Sequence, residues 1–202
     1  MMVKNLLFDL GGVIMNIRRQ NAVDALIKIG MADADSFLGD YAQQGPFLKL
    51  EEGAISESEF RNEIRVLIPV DVTDEQIDDA FCHFLLGIPK YRLDALENLH
   101  KSYKIYMLSN TNSIMWNSVI SEEFKKAGHD INYYFDGVVT SFEAKCVKPD
   151  AKIFNSVVEN FNIKPEETIF FDDSQANIDA AAALGFKTAY VMPGTEFMDL
   201  IK

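Results

Sequence analysis

The chain has 202 residues, 48% hydrophobic and 25% charged, with 31 Asp and Glu against 19 Lys and Arg for a net charge of −12. This length allows one domain, or one domain with a modest insertion, and the composition excludes disorder, collagen-like repeats and a disulfide scaffold. So acidic a surface repels nucleic acid and anionic lipid, so an anionic ligand must be held by a local site against the overall field.

The N-terminal apolar run at 3–8 is broken by Asp9 and has no small-residue cleavage site, so it reads as a strand rather than a signal peptide. Its apolar character is continuous rather than alternating, as in a strand covered on both faces of a parallel sheet. Residues 16–88 read instead as consecutive helices with no convincing strand. Ser56 with Glu59 and Thr73 with Gln76 have capping-box spacing, Ile77, Phe81 and Leu85 continue an apolar stripe, and Pro69 and Pro89 punctuate the ends. Further β-rich runs follow at 105–108, 137–140, 168–171 and 187–191, alternating with helical patterns at 91–102, 114–126, 151–161 and 177–184. That alternation predicts an α/β fold, a doubly wound, mostly parallel sheet of Rossmann-like type. The expected organisation is a core of 1–15 and 89–202, with 16–88 as a helical cap inserted after the first strand; the alternative is a single α+β domain whose helices simply cover the sheet. No stretch reaches the roughly 18 apolar residues of a membrane span. Cys82 and Cys146 have no metal-like spacing and read as free or buried thiols, so a soluble, cytoplasmic protein is expected. The oligomeric state is not legible.

In such a sheet, ligands gather at the carboxyl ends of the strands, and the chain places polar groups at four of them. Asp9 follows the first strand and precedes Gly11 and Gly12, whose freedom lets the backbone fold back and present amides to an anion. Ser109 and Asn110 follow the second. Lys148, extended by the following Pro149, comes after the third, and Asp172-Asp173 after the fourth. Each has a plainer reading: a turn-forming Asp, a helix-capping Ser, a surface Lys, a solvated acidic turn. Together they form a constellation in which adjacent carboxylates suit Mg²⁺ and the lysine is a local counter-charge.

Phe8-Asp9-Leu10-Gly11-Gly12-Val13, Leu108-Ser109-Asn110-Thr111, Lys148-Pro149 and Phe171-Asp172-Asp173-Ser174 resemble, in order, the four motifs of the haloacid dehalogenase-like superfamily. The helical block sits where that family places its small cap. The resemblance implies Mg²⁺-dependent phosphomonoester hydrolysis through a phosphoaspartyl intermediate. Asp9 would be nucleophile and metal ligand, the Gly11 backbone carbonyl and Asp173 further ligands, and Asp172 a ligand directly or through water. Ser109, Asn110 and Lys148 would grip the phosphoryl group.

The chain departs from the pattern at Gly11, where most phosphatases of the family carry a second Asp as general acid and base, and at Asn177, where an acidic residue often lies. Without that acid, leaving groups that depart with little protonation are favoured, so a small sugar phosphate, such as an anomeric hexose phosphate, is the expected substrate. The rivals are a 2-haloacid dehalogenase, which also lacks the second Asp but uses no metal, and a non-catalytic phosphate-binding module. Arg18, Arg19, Gln43, Gln44, Phe47 and Lys49 are candidates for the cap's face of the cleft. His83, beside Phe81 and Phe84, reads as packed, and Met107 and Met115 as core.

Overall fold

The computed structural model describes residues 2–201. Five strands, β1 (Asn5–Phe8), β4 (Lys104–Ser109), β5 (Gly137–Thr140), β6 (Thr168–Asp172) and β7 (Lys187–Tyr190), form a wholly parallel sheet in the order β5-β4-β1-β6-β7. Because side chains alternate across a strand, Leu6 and Phe8 join Ile105, Met107 and Phe171 on one face. Leu7 joins Tyr106, Leu108 and Phe170 on the other. Both faces are dry, which is why β1 is apolar without interruption.

Helices α6 (Lys90–Leu99), α7 (Ser113–Met115) and α8 (Ser121–Lys126) pack on the first face, while α11 (Ala151–Phe161) and α12 (Gln175–Ala183) pack on the second. Two short helices, α9 (Ile131–Tyr134) and α10 (Ser141–Ala144), flank β5. The single helix expected over 114–126 is interrupted by a π turn at Trp116–Ile120. There the Ser118 hydroxyl donates to the Ile114 carbonyl at 2.5 Å, a side-chain bond that competes with the regular ladder.

The segment between β1 and α6 holds five helices: α1 (Arg19–Lys28), α2 (Ala34–Phe37), α3 (Gly45–Glu51), α4 (Glu57–Val66) and α5 (Asp74–Cys82). Both capping boxes form, at Ser56 with Glu59 and at Thr73 with Gln76. The expectation of a strandless block is corrected: β2 (Asn16–Ile17) and β3 (Leu85–Gly87) pair antiparallel and bracket the helices. Leu85 therefore leaves the helical stripe, because α5 stops at Cys82 and the chain must turn back towards the sheet. His83 is also corrected, since it lies exposed with Nδ1 against the Asp79 carbonyl. Met107 and Met115 are core, as read.

Phe47, expected to face the cleft, is fully buried instead. Its ring meets Phe60 and Phe81 edge-on at 5.2 and 4.8 Å, at the centre of the helical block. Burying an aromatic there gains more than exposing it to a polar cleft. Phe47→Ala is expected to cost about 3–5 kcal/mol, read as a lowered midpoint in urea unfolding; a loss under about 1 kcal/mol would show that this cluster does not hold the helices together.

Candidate active site

Strands β1 and β6 are neighbours in register, Phe8 beside Phe171, so the residues that follow them emerge side by side. Their onward connections diverge to opposite sides of the sheet, which opens a crevice between them. Asp9 holds this position through its backbone N–H, which donates to the Phe171 carbonyl at 2.9 Å. Stacked rings of Phe8 and Phe171, 4.7 Å apart, form the floor beneath.

Lys148 is the charge centre. Its side chain is 1% exposed, with Nζ 2.8 Å from Asp9 Oδ1 and 2.7 Å from Asp172 Oδ2. The Asn110 side chain fixes it from the end of β4, accepting from the Lys148 N–H at 2.8 Å and donating to the Lys148 carbonyl at 3.0 Å. Ser141 stitches the neighbouring loop by accepting from the Thr111 N–H and donating to the Thr111 carbonyl. The Ser109 hydroxyl, 2% exposed, lines the same cavity as Asp9, Asn110 and Lys148.

Asp172 and Asp173 take different roles although adjacent. Asp172 is fully buried, and its oxygens accept from the Ser174 N–H, the Asn177 amide and Lys148. Asp173 is half-buried and lines the cavity. Carboxylate oxygens of Asp9, Asp172 and Asp173 lie within 4.8 Å of one another, against one buried amine. The cost shows in their protonation. Burial pushes Asp9 up to about 7, with Lys148 opposing and Asp172 and Asp173 reinforcing. Burial and Asp172 push Asp173 up to about 6. An all-oxygen cluster with surplus negative charge fits a hard divalent cation.

The two glycines after Asp9 are not equivalent. Gly12 has φ +72°, and a Cβ there would lie 2.1 Å from Asp173 Oδ2, so glycine is required for the carboxylate to approach. At Gly11 a Cβ would meet only Ile17, at 3.5 Å, and the backbone is not left-handed. Of the two, only Gly12 holds a backbone conformation that calls for glycine. The missing side chain at Gly11 is a chemical absence rather than a steric necessity.

From the helical block, Tyr41, Gln43, Glu51, Phe81, Phe84 and Leu85 complete the cavity. Of the expected cleft residues only Gln43 is among them, its side chain accepting from the Gly39 N–H at 3.2 Å. Arg18 and Arg19 border a shallower groove at the mouth, where Arg19 is tied to Asp35 and the Leu38 carbonyl. Gln44 is exposed, and Lys49 pairs with Glu63 at 2.9 Å on the outer surface. Glu51 was missed in the sequence. The signal for it is an acidic pair, Glu51-Glu52, at a helix C-terminus, where the helix dipole disfavours negative charge.

The chain matches the haloacid dehalogenase-like hydrolase family over residues 3–185. It is 40% identical over 187 residues to the D-ribitol-5-phosphate phosphatase of Bacteroides thetaiotaomicron, covering 93% of this chain and 91% of the relative. It resembles a haloacid dehalogenase (HAD) family enzyme of Bacteroides thetaiotaomicron solved in complex with magnesium and inorganic phosphate. The identity is 39% and the TM-score 0.91, over 99% of this chain and 100% of the other. A Porphyromonas gingivalis protein described as a predicted HAD-like family hydrolase has 34% identity and a TM-score of 0.91, over 99% and 96% of the two chains.

Proposed function

We propose that this chain, which belongs to the haloacid dehalogenase-like hydrolase family, is a Mg²⁺-dependent phosphatase of small sugar or polyol phosphates, with Asp9 as its nucleophile. The observation that carries the reading is the buried Lys148 amine, 2.8 Å from Asp9, in a pocket with more carboxylates than it can neutralise. A pocket so charged is incomplete until a cation and a phosphate share it. Asp9, Asp173 and the Gly11 backbone carbonyl would hold Mg²⁺. Asp172 would act through water or from behind, since its oxygens already accept from Lys148, Asn177 and Ser174. When bound, Mg²⁺ neutralises charge on the carboxylates and on the phosphoryl oxygens.

The chain's own groups do the rest. An Asp9 oxygen attacks phosphorus in line with the ester oxygen, forming the aspartyl phosphate as the P–O ester bond breaks. Water then attacks phosphorus and returns Asp9 to a carboxylate. Lys148, Ser109 and the Asn110 amide grip the non-bridging oxygens. Phosphoryl transfer asks mainly for such positioning and charge stabilisation, and these groups are held before substrate arrives.

Gly12→Ala tests the metal assignment, because the added methyl collides with the Asp173 carboxylate. Mg²⁺ affinity by titration calorimetry is expected to fall about tenfold or more, as outer contacts to metal sites already count for 10–100-fold. Unchanged affinity would remove Asp173 from the site.

The relative's name carries a primary phosphate ester, whereas a site in which nothing replaced the carboxylate missing at Gly11 would favour an anomeric one. Phosphate release from D-ribitol 5-phosphate, glucose 1-phosphate and glucose 6-phosphate, with Mg²⁺ or with EDTA, tests the reading. The expected result is Mg²⁺-dependent release from at least one of the three. Release from none, or equal release in EDTA, would overturn it.

A further inference from the structure

We propose that Glu51, on helix α3 of the inserted helical block, is the general acid that protonates the leaving oxygen and so replaces the carboxylate absent at Gly11. The inference rests on the phosphatase reading above. Glu51 lines the cavity that holds Asp9, Ser109 and Lys148, and the residue is 8% exposed. The other ionisable side chains of that cavity are unsuited. Lys148 is committed to Asp9 and Asp172, Asp173 belongs to the cation site, and Asp40 and Tyr41 are exposed. Among the described residues Glu51 has no hydrogen-bond partner or ion pair, so its carboxyl is free for a substrate oxygen. Burial, reinforced by Glu52 and opposed by Lys148, pushes it up to about 8, and it carries a proton at neutral pH.

Its position is built rather than incidental. Two residues on, Gly53 has φ +56°, and a Cβ there would lie 2.1 Å from the Phe142 carbonyl oxygen. Lys145 Nζ donates to the Gly53 carbonyl at 2.7 Å. This close approach fastens the end of α3 to the segment that leads into Lys148, and it keeps Glu51 in the catalytic cavity. The chemistry then closes. As Asp9 bonds to phosphorus and the ester P–O bond breaks, the departing alkoxide takes the Glu51 proton. In the second half, attacking water gives a proton to the Glu51 carboxylate as the P–O bond to Asp9 breaks. Phosphate leaves, and both residues return to their starting states.

The test compares leaving groups. Glu51→Gln keeps the size and neutrality of the protonated acid but cannot release a proton. The ratio of kcat/KM for 4-nitrophenyl phosphate, whose leaving group needs no proton, to that for D-ribitol 5-phosphate is expected to rise about 10²-fold. A ratio within about threefold of wild type, whether both rates fall or neither does, would overturn the assignment. In wild type, a series of aryl and alkyl phosphates should show a shallow dependence on leaving-group basicity. A steep one overturns the assignment without any variant, so a misfolded Gln protein leaves the question decidable. Wild type that releases no phosphate from any of these esters overturns the phosphatase reading itself. Normal wild-type turnover with an unaltered ratio in the variant overturns Glu51 alone.

Discussion

Asp9→Asn is expected to lower phosphatase turnover by roughly 10⁴-fold or more while leaving the fold intact. The carboxamide has nearly the same shape, so the backbone bond to Phe171 and the floor of stacked rings survive. What it loses is the anionic oxygen that, in the proposed mechanism, attacks phosphorus. Lys148 keeps Asp172 as a partner, and the crowd of three neighbouring carboxylates loses one charge, so thermal stability should not fall. Initial rates beside a melting curve read both effects. Beryllium fluoride should form an adduct on Asp9 of wild type and none on the variant. Full activity in Asp9→Asn, or an adduct elsewhere, would sink the mechanism.

Lys148→Ala is expected to fail in two ways. Among the described residues its amine is the one cation bonded to both Asp9 and Asp172, and its side chain is almost fully enclosed. Removing one member of a buried ion pair leaves charge without compensation and costs about 3–5 kcal/mol. Without metal, burial already raises Asp9 against the lysine's opposition, so losing the amine leaves Asp9 more fully protonated. Turnover should fall about 10²–10³-fold or more from the lost stabilisation of phosphoryl charge. Urea unfolding of the metal-free variant checks the first effect and phosphate release the second. A stability loss below about 1 kcal/mol would mean the pair is solvated in a way its burial does not allow.

Much of this was legible from residue order, because strand ends in a doubly wound sheet collect ligands and this chain puts Asp9, Ser109, Lys148 and Asp172-Asp173 at such ends. The structure brings all of them together. Less legible was the helical block. A two-residue strand such as Asn16–Ile17 has too few positions to show alternation, and its partner at Leu85–Gly87 continues an apolar stripe that reads as helix. Side-chain direction was invisible as well. Phe47 and Glu51 sit on the same short helix, yet the aromatic turns into the helical core and the acid lines the catalytic cavity. Nothing in the string of letters says that Gly53 brings the helix end against the Phe142 carbonyl. The split between Asp172 and Asp173 is likewise tertiary, since it depends on Lys148 and Asn177 closing over one carboxylate and not the other.

In the proposed mechanism Asp9 carries the phosphoryl group during turnover. Acid quenching of the Mg²⁺-loaded enzyme within a single turnover, followed by mass spectrometry of the peptide that contains Asp9, tests it most directly. A phosphorylated Asp9 peptide is expected to appear after mixing with whichever of the three esters is hydrolysed and to decay as inorganic phosphate is released. Phosphate release with no phosphorylated Asp9 at any quench time, or with the label on another residue, would contradict it.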